Sequence, residues 1–364
     1  MASNTERAIN CTFLFIVIFL SVSQAADRYK DRVFLSVETR EDIPYRIASN
    51  FMDTTDTLRF DLYTPSNDAD TNRPLIIFIH GGSFINGSRK DDYANSFCTD
   101  MALRGYAAVS ISYRLGLLGM TESEFRKALY RAMQDSKAAV RFFRANASQY
   151  GIDPNLIVCA GFSAGALTSI HHAYISDDMA SMVTDEAVLG PLESGENLEY
   201  SSEISAVVNY SGAIGDTSWI AGANTPMISI HGTDDATVPF EAGHAFGTQY
   251  APLLYGSACI HRELDRYNIT NLLIAAEKET HDLSVNTWSS SYTNVSAFIY
   301  ELLHQFSPIA YSSSLKPSFS SAAPEKHVFL KNEKMAGTVY NLKGRQIGSA
   351  RLRNGAGVYL YPKR

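Results

Sequence analysis

Ser163 stands between Gly161 and Gly165, directly after the apolar run Leu156 to Ala160. A serine hydroxyl is a weak nucleophile near neutral pH. It works only beside a base that takes its proton, a group that orients the base, and donors that hold a developing oxyanion. The two glycines suit a sharp turn from strand to helix, where larger neighbours would clash and where the hydroxyl is left standing at the strand's end. A helix beginning at Ala164 would aim its N-terminal N–H groups at charge forming beside Ser163.

Candidates for the other roles lie where later strands should end. Leu272 to Ala276 is an apolar run followed by Glu277-Lys278-Glu279-Thr280-His281, and His281 is the histidine placed to act as base. Met227 to His231 leads into His231-Gly232-Thr233-Asp234-Asp235-Ala236-Thr237-Val238-Pro239, with two adjacent carboxylates. The spacing H-G-x-x-D-x-x-V-P favours Asp235 as the orienting acid, with Asp234 as the alternative. Leu75 to Ile79 runs into His80-Gly81-Gly82-Ser83-Phe84, where the glycines Gly81 and Gly82 free peptide N–H groups that, with that of Ala164, are the candidate oxyanion donors. His80 reads as a brace for this loop. His171 and His172 fall on the helix after the nucleophile, His244, His261 and His304 on surface helices, and His327 in the tail. Phe84, Phe162 and Trp219 are candidates for a substrate pocket, with ordinary core as the competing reading.

The elements that must bring these residues together are legible as an alternation. Runs rich in Ile, Val and Ala at 75–79, 107–112, 156–160, 206–210, 227–231 and 272–276 read as buried parallel strands. Amphipathic stretches at 93–104, 122–150, 164–174, 241–254, 258–267 and 288–305 read as helices between and after them. Val33 to Glu38 and Leu58 to Tyr63 precede the first parallel strand as antiparallel edge strands. The expected fold class is α/β, a mostly parallel doubly wound sheet, with a short C-terminal β module. The segment 177–203 could form a small lid, although its many acids do not suit a lipid surface.

The chain order Ser163, Asp235, His281 is the one used by doubly wound hydrolases. With Leu62-Tyr63-Thr64-Pro65, His80 to Phe84, Val109 to Arg114, Gly161 to Gly165, His231 to Pro239 and His281, the chain resembles the α/β-hydrolase superfamily, in its carboxylesterase and hormone-sensitive-lipase-like branches, over roughly residues 33 to 306. It departs at HGGS, where many relatives have a third glycine, and in lacking the glycine usual just before His281. The resemblance implies an acyl-enzyme mechanism without cofactor or metal, acting on a small ester such as an acetyl or feruloyl substituent, free or linked to polysaccharide. A prolyl-oligopeptidase-like peptidase and a catalytically inactive esterase-like binding module are the alternatives.

The ends carry other signals. Arg7, the apolar run Cys11 to Val22 and Ser23-Gln24-Ala25 read as a signal peptide over 1–25, with an uncleaved anchor as the alternative. Residues 26–306 form the expected catalytic domain, 307–325 a Ser/Pro-rich linker, and 326–364 a β module. Within that module, Val339 to Arg345 and Gly357 to Tyr361 resemble the type A sorting domain of type IX secretion, which implies the secretion machinery as a partner and an exported destination: periplasm, cell surface or medium. A net charge of −7 argues against nucleic acid as a partner. Cys98, Cys159 and Cys259 remain after the leader, an odd number that leaves at least one thiol free or paired between molecules, with no metal-ligand spacing.

Overall fold

A computed structural model of the chain describes residues 26–306, apart from 120 and 185, and the backbone of three short strands beyond them. The signal peptide and the linker assigned above lie outside the described residues.

The apolar runs assemble into one eight-stranded sheet. Its strands in chain order are β1 (Val37–Ser49), β2 (Thr55–Pro65), β3 (Arg73–Ile79), β4 (Ala107–Ile111), β5 (Ile152–Phe162), β6 (Ala206–Tyr210), β7 (Met227–Gly232) and β8 (Asn271–Ala276). They lie side by side as β1-β2-β4-β3-β5-β6-β7-β8. β1 and β2 are antiparallel to their neighbours, and every pairing from β4 to β8 is parallel. Parallel pairing puts the C-terminal ends of β3, β5, β7 and β8 on one edge. Ile79 pairs with Gly161, and Gly232 with Ala276. The residues singled out for chemistry follow these strand ends.

Side chains alternate across the sheet. Leu75, Ile77 and Ile79 pack with Phe125, Leu129 and Met133 of α2 (Glu122–Ala145) and Leu167 of α3 (Ala164–Tyr174). Ile76 and Phe78 pack on the other face with Phe97 and Met101 of α1 (Asp92–Leu103) and Val295 and Ile299 of α5 (Val285–Phe306). Both faces are covered, so the central strands have no solvent-facing side and read as nearly continuous apolar runs. Ile260 and Leu264 of α4 (Ser257–Arg266) close the core near β7, against Met227, Val207 and Ile170.

Four expectations change. The first strand is Val37–Ser49 rather than 33–38. It carries Pro44 and mostly exposed residues and pairs on one side only, with register shifts at Arg40/Ile43 and Pro44/Arg46. An edge strand tolerates proline at such a bulge because one row of its N–H groups has no ladder to complete. The helix expected over 241–254 is absent. Gly243, Gly247 and Pro252 break it, Phe246 adopts φ 56°, and the segment forms short strands Ala242–His244 and Leu253–Gly256. His261 is on a helix but buried, and His244 is exposed on a strand. The helix read over 122–150 ends at Ala145, and a separate single turn covers Ala147–Tyr150.

The thiols of Cys98, Cys159 and Cys259 are all free and buried. Beyond residue 306, Gly337–Tyr340, Gln346–Leu352 and Val358–Pro362 pair as a three-stranded antiparallel sheet. Among the described residues no helix is long and apolar enough to cross a membrane.

Candidate active site

The turn from β5 into α3 answers for both glycines around Ser163. Strand and helix approach so closely that a Cβ on Gly161 would lie 2.3 Å from the Gly165 carbonyl carbon, and one on Gly165 would lie 2.0 Å from the Ile79 oxygen. Ser163 takes φ 54°, ψ −120°, a conformation costly for any residue with a side chain, and its N–H is pinned to the Tyr210 carbonyl at 2.9 Å. The strain is held by the two packed elements, and it leaves the hydroxyl at the sheet edge.

His281 Nε2 stands 2.9 Å from Ser163 Oγ, and His281 Nδ1 stands 2.7 Å from Asp235 Oδ2. Of the two adjacent carboxylates, Asp235 is buried and meets the imidazole, while Asp234 is exposed and turned to Thr233. Asp235 Oδ1 accepts the N–H groups of Thr237 and Val238 at 2.8 and 2.9 Å, which fixes the carboxylate plane. Burial opposes its charge, but hydrogen bonds from His231 and His281, the His281 charge and the Val238 N–H outweigh that and hold the carboxyl well below its ordinary range.

The absence of a glycine before His281 is met from the other side. Gly232 lets the histidine loop cross it, since a Cβ there would be 2.3 Å from the Glu279 oxygen and 2.4 Å from that of Thr280. The acid and base loops are then tied by Thr233 N–H to Ala276 O, Asp234 N–H to Glu279 O and Lys278 N–H to the Thr233 hydroxyl, at 3.0, 3.0 and 2.8 Å.

The glycine loop after β3 reaches the same point. A Cβ on Gly81 would be 3.2 Å from Ser163 Cβ. The Gly81 N–H, however, donates to the Tyr93 hydroxyl at 2.9 Å, so Gly81 is not an open oxyanion donor as expected. Tyr93 in turn donates to Asp91 at 3.1 Å. The N–H groups of Gly82, Ser83 and Ala164 meet no acceptor among the described residues. Ser83, missed in the sequence because it was read only as a missing glycine, adopts φ 56° beside Gly82 at φ 105°. His80 is buried, with Nδ1 2.8 Å from Gly81 O and its ring stacked on Tyr113; burial lowers its pKa, which suits a neutral brace.

The three pocket candidates separate. Phe84 is fully buried, edge-on to Phe125 at 5.5 Å, and belongs to the core because the loop turns its ring inward. Trp219 packs on His171 and lines a cleft of about 840 Å³ that contains none of Ser163, Asp235 and His281. Phe162 stays: its half-buried ring stacks on His281 at 5.2 Å and meets Tyr93 and Trp288 edge-on. Trp288 and Tyr93, not singled out from sequence, thus complete an aromatic wall beside the imidazole. Only their place on helices facing the sheet edge could have signalled them. The segment 177–203 is no free lid, because Glu193 pairs with Lys137 at 3.0 Å and with Arg141 on α2.

Comparison with known proteins agrees with this architecture. The BD-FAE family model matches residues 60–216. The chain is 32% identical over 124 residues to a neuroligin-like protein, glit-1, of Caenorhabditis elegans, covering 34% of this chain and 16% of that one. It is 36% identical over 113 residues to phenmedipham hydrolase of Pseudarthrobacter oxydans, covering 30% and 22%. The chain therefore spans about a fifth of the length of these curated relatives. Thermogutta terrifontis esterase 2 phosphorylated by paraoxon superposes with a TM-score of 0.54 at 21% identity, over 76% of this chain and 96% of that one. A truncated carbohydrate esterase from gut microbiota superposes at 0.51 and 19% identity, over 75% and 98%. Strand order, the strained serine turn and these superpositions together show that the chain has the α/β-hydrolase fold.

Proposed function

We propose that this chain is a serine carboxylic-ester hydrolase. The observation that carries the reading is the continuous hydrogen-bonded line from Ser163 Oγ through both nitrogens of His281 to Asp235, at 2.9 and 2.7 Å. His281 takes the Ser163 proton on Nε2 as Oγ bonds to the ester carbonyl carbon. The carbonyl oxygen becomes an oxyanion facing the open N–H groups of Gly82, Ser83 and Ala164. The imidazolium returns its proton to the alkoxide as the carbon–oxygen bond breaks and alcohol leaves. Water, deprotonated by the same imidazole, then releases the acid and restores Ser163. Asp235 keeps the Nδ1–H tautomer and offsets the imidazolium charge. Every proton is handled by Ser163, His281 and water.

The substrate we favour is a small acyl ester, acetyl or feruloyl, carried on an alcohol as large as a polysaccharide. The Phe162, Tyr93 and Trp288 rings beside the imidazole support it, as does the fold shared with the truncated carbohydrate esterase from gut microbiota. The leader and the sorting-like tail support action outside the cytoplasm. One relative is named for neuroligin rather than for an esterase, which favours a second reading as a binding module without turnover. Ser163→Ala decides between them: hydrolysis of p-nitrophenyl acetate by the wild type, lost in the variant at unchanged thermal stability, supports the hydrolase, and absence of wild-type turnover on a panel of small esters supports the module.

A further inference from the structure

Asp235 Oδ2 accepts from two imidazoles. One is His281; the other is His231, at the end of β7, whose Nε2 lies 3.1 Å from the same oxygen and 3.0 Å from the Val238 carbonyl. His231 is fully buried. Both neighbours of Nε2 are acceptors only, so Nε2 must carry the proton and donate.

The other nitrogen fits the same tautomer. His231 Nδ1 is 2.8 Å from Ser257 Oγ, and Ser257 accepts from Asn209 Nδ2 at 2.9 Å. The orientation of that amide is itself fixed, because Asn209 Oδ1 accepts the Gly212 N–H at 2.8 Å. With the ring proton on Nε2, the Ser257 hydroxyl donates to His231 Nδ1. The second Asn209 N–H goes to Ser229, which in turn faces His261 Nε2 at 2.7 Å, and His261 Nδ1 faces Asn271 Oδ1 at 2.7 Å. The line runs from α4 and β8 through β6 to the carboxylate. A buried imidazole needing only satisfaction could stop at Val238 and Ser257; this one also reaches the carboxylate that orients the base.

We propose that His231 is a positioning residue for the hydrolytic reaction: with Ser257 and Asn209 it holds Asp235 Oδ2 where the Nδ1–H of His281 must find it. This rests on the ester-hydrolase reading above. The test compares His231→Phe, which keeps a buried ring without the donor, with His231→Gln, whose amide nitrogen reaches toward the place of Nε2. A lost hydrogen bond to a charged group corresponds to roughly 10- to 100-fold, so His231→Phe should lose about that factor in kcat on p-nitrophenyl acetate at unchanged KM, and His231→Gln should recover to within about fivefold. A wild-type kcat in His231→Phe overturns the proposal, as does equal loss in both variants. Where His231→Phe does not fold, Ser257→Ala serves instead: a fall in kcat at constant KM supports the proposal and wild-type kcat overturns it. A wild type without esterase activity or Ser163 labelling would mark failure of the underlying reading instead.

Discussion

Gly165→Ala tests the packing that places the nucleophile. In isolation this change in a helix is favourable, by roughly 1 kcal/mol of backbone propensity. Here the added Cβ would sit 2.0 Å from the Ile79 oxygen, 2.5 Å from its carbon and 2.7 Å from the His80 oxygen. All three are backbone atoms, so no side chain can swing aside, and relief requires α3 to withdraw from β3 by more than about 1 Å to reach ordinary contact. Overpacking of this kind costs about 1–3 kcal/mol, and the steric term exceeds the propensity gain. A net loss of about 1 kcal/mol lowers Tm by about 2 °C in a domain of this size. Because Ser163 joins β5 to the start of α3, the same withdrawal displaces Oγ from His281, and a displacement near 1 Å costs about 100-fold in rate. Thermal unfolding and kcat/KM on p-nitrophenyl acetate, measured on one preparation, read both effects. Wild-type Tm together with wild-type kcat/KM would refute the reasoning, since it would mean that α3 and β3 have room to spare.

Asp235→Asn should lower kcat by about 10⁴-fold by removing the acceptor that fixes the His281 tautomer, whereas Asp234→Asn should stay within about twofold; steady-state kinetics on both variants decides which carboxylate orients the base. Tyr93→Phe frees the Gly81 N–H and removes its anchor to Asp91, and should lower kcat by about tenfold through a shifted glycine loop, with KM and KM-type inhibition by product as the accompanying readouts. Stability should fall as pH drops below about 6.5: burial lowers His171 and His261 to about 4 and His172 to about 3, so the unfolded chain binds protons there that the folded chain does not, at about 1.4 kcal/mol per proton per pH unit. Denaturant unfolding between pH 7 and 4 measures it, and a flat profile would contradict the neutral, buried assignment. Asp235 acts in a lower window, stabilising the fold above its ordinary carboxylate pKa and ceasing to do so as pH falls below it.

The sheet was legible because both of its faces are buried. Strands such as Leu75 to Ile79 have no polar side, so composition alone marks them. The strained serine turn was equally open to reading, since two glycines four apart around a serine answer a steric demand visible in any sequence. What escaped depends on distances between remote segments. Gly81 reads as an oxyanion donor because nothing in the local sequence shows that Tyr93, twelve residues on, occupies its N–H. Phe84 reads the same whether its ring turns outward to a substrate or inward to Phe125. His231 looked like part of a motif, and its bond to Asp235 appears only once β7 and the acid loop are folded back on each other. The edge strand β1 failed for the opposite reason to the core strands: exposed and paired on one side, it carries charges and a proline that a buried strand would exclude.

Mass spectrometry after reaction with a fluorophosphonate tests the central claim most directly. The account expects one adduct per chain, formed with loss of fluoride, located on the peptide containing Ser163, absent in Ser163→Ala and strongly slowed in a His281→Ala variant. A folded wild-type protein that remains unlabelled, or labels on another residue, would contradict it.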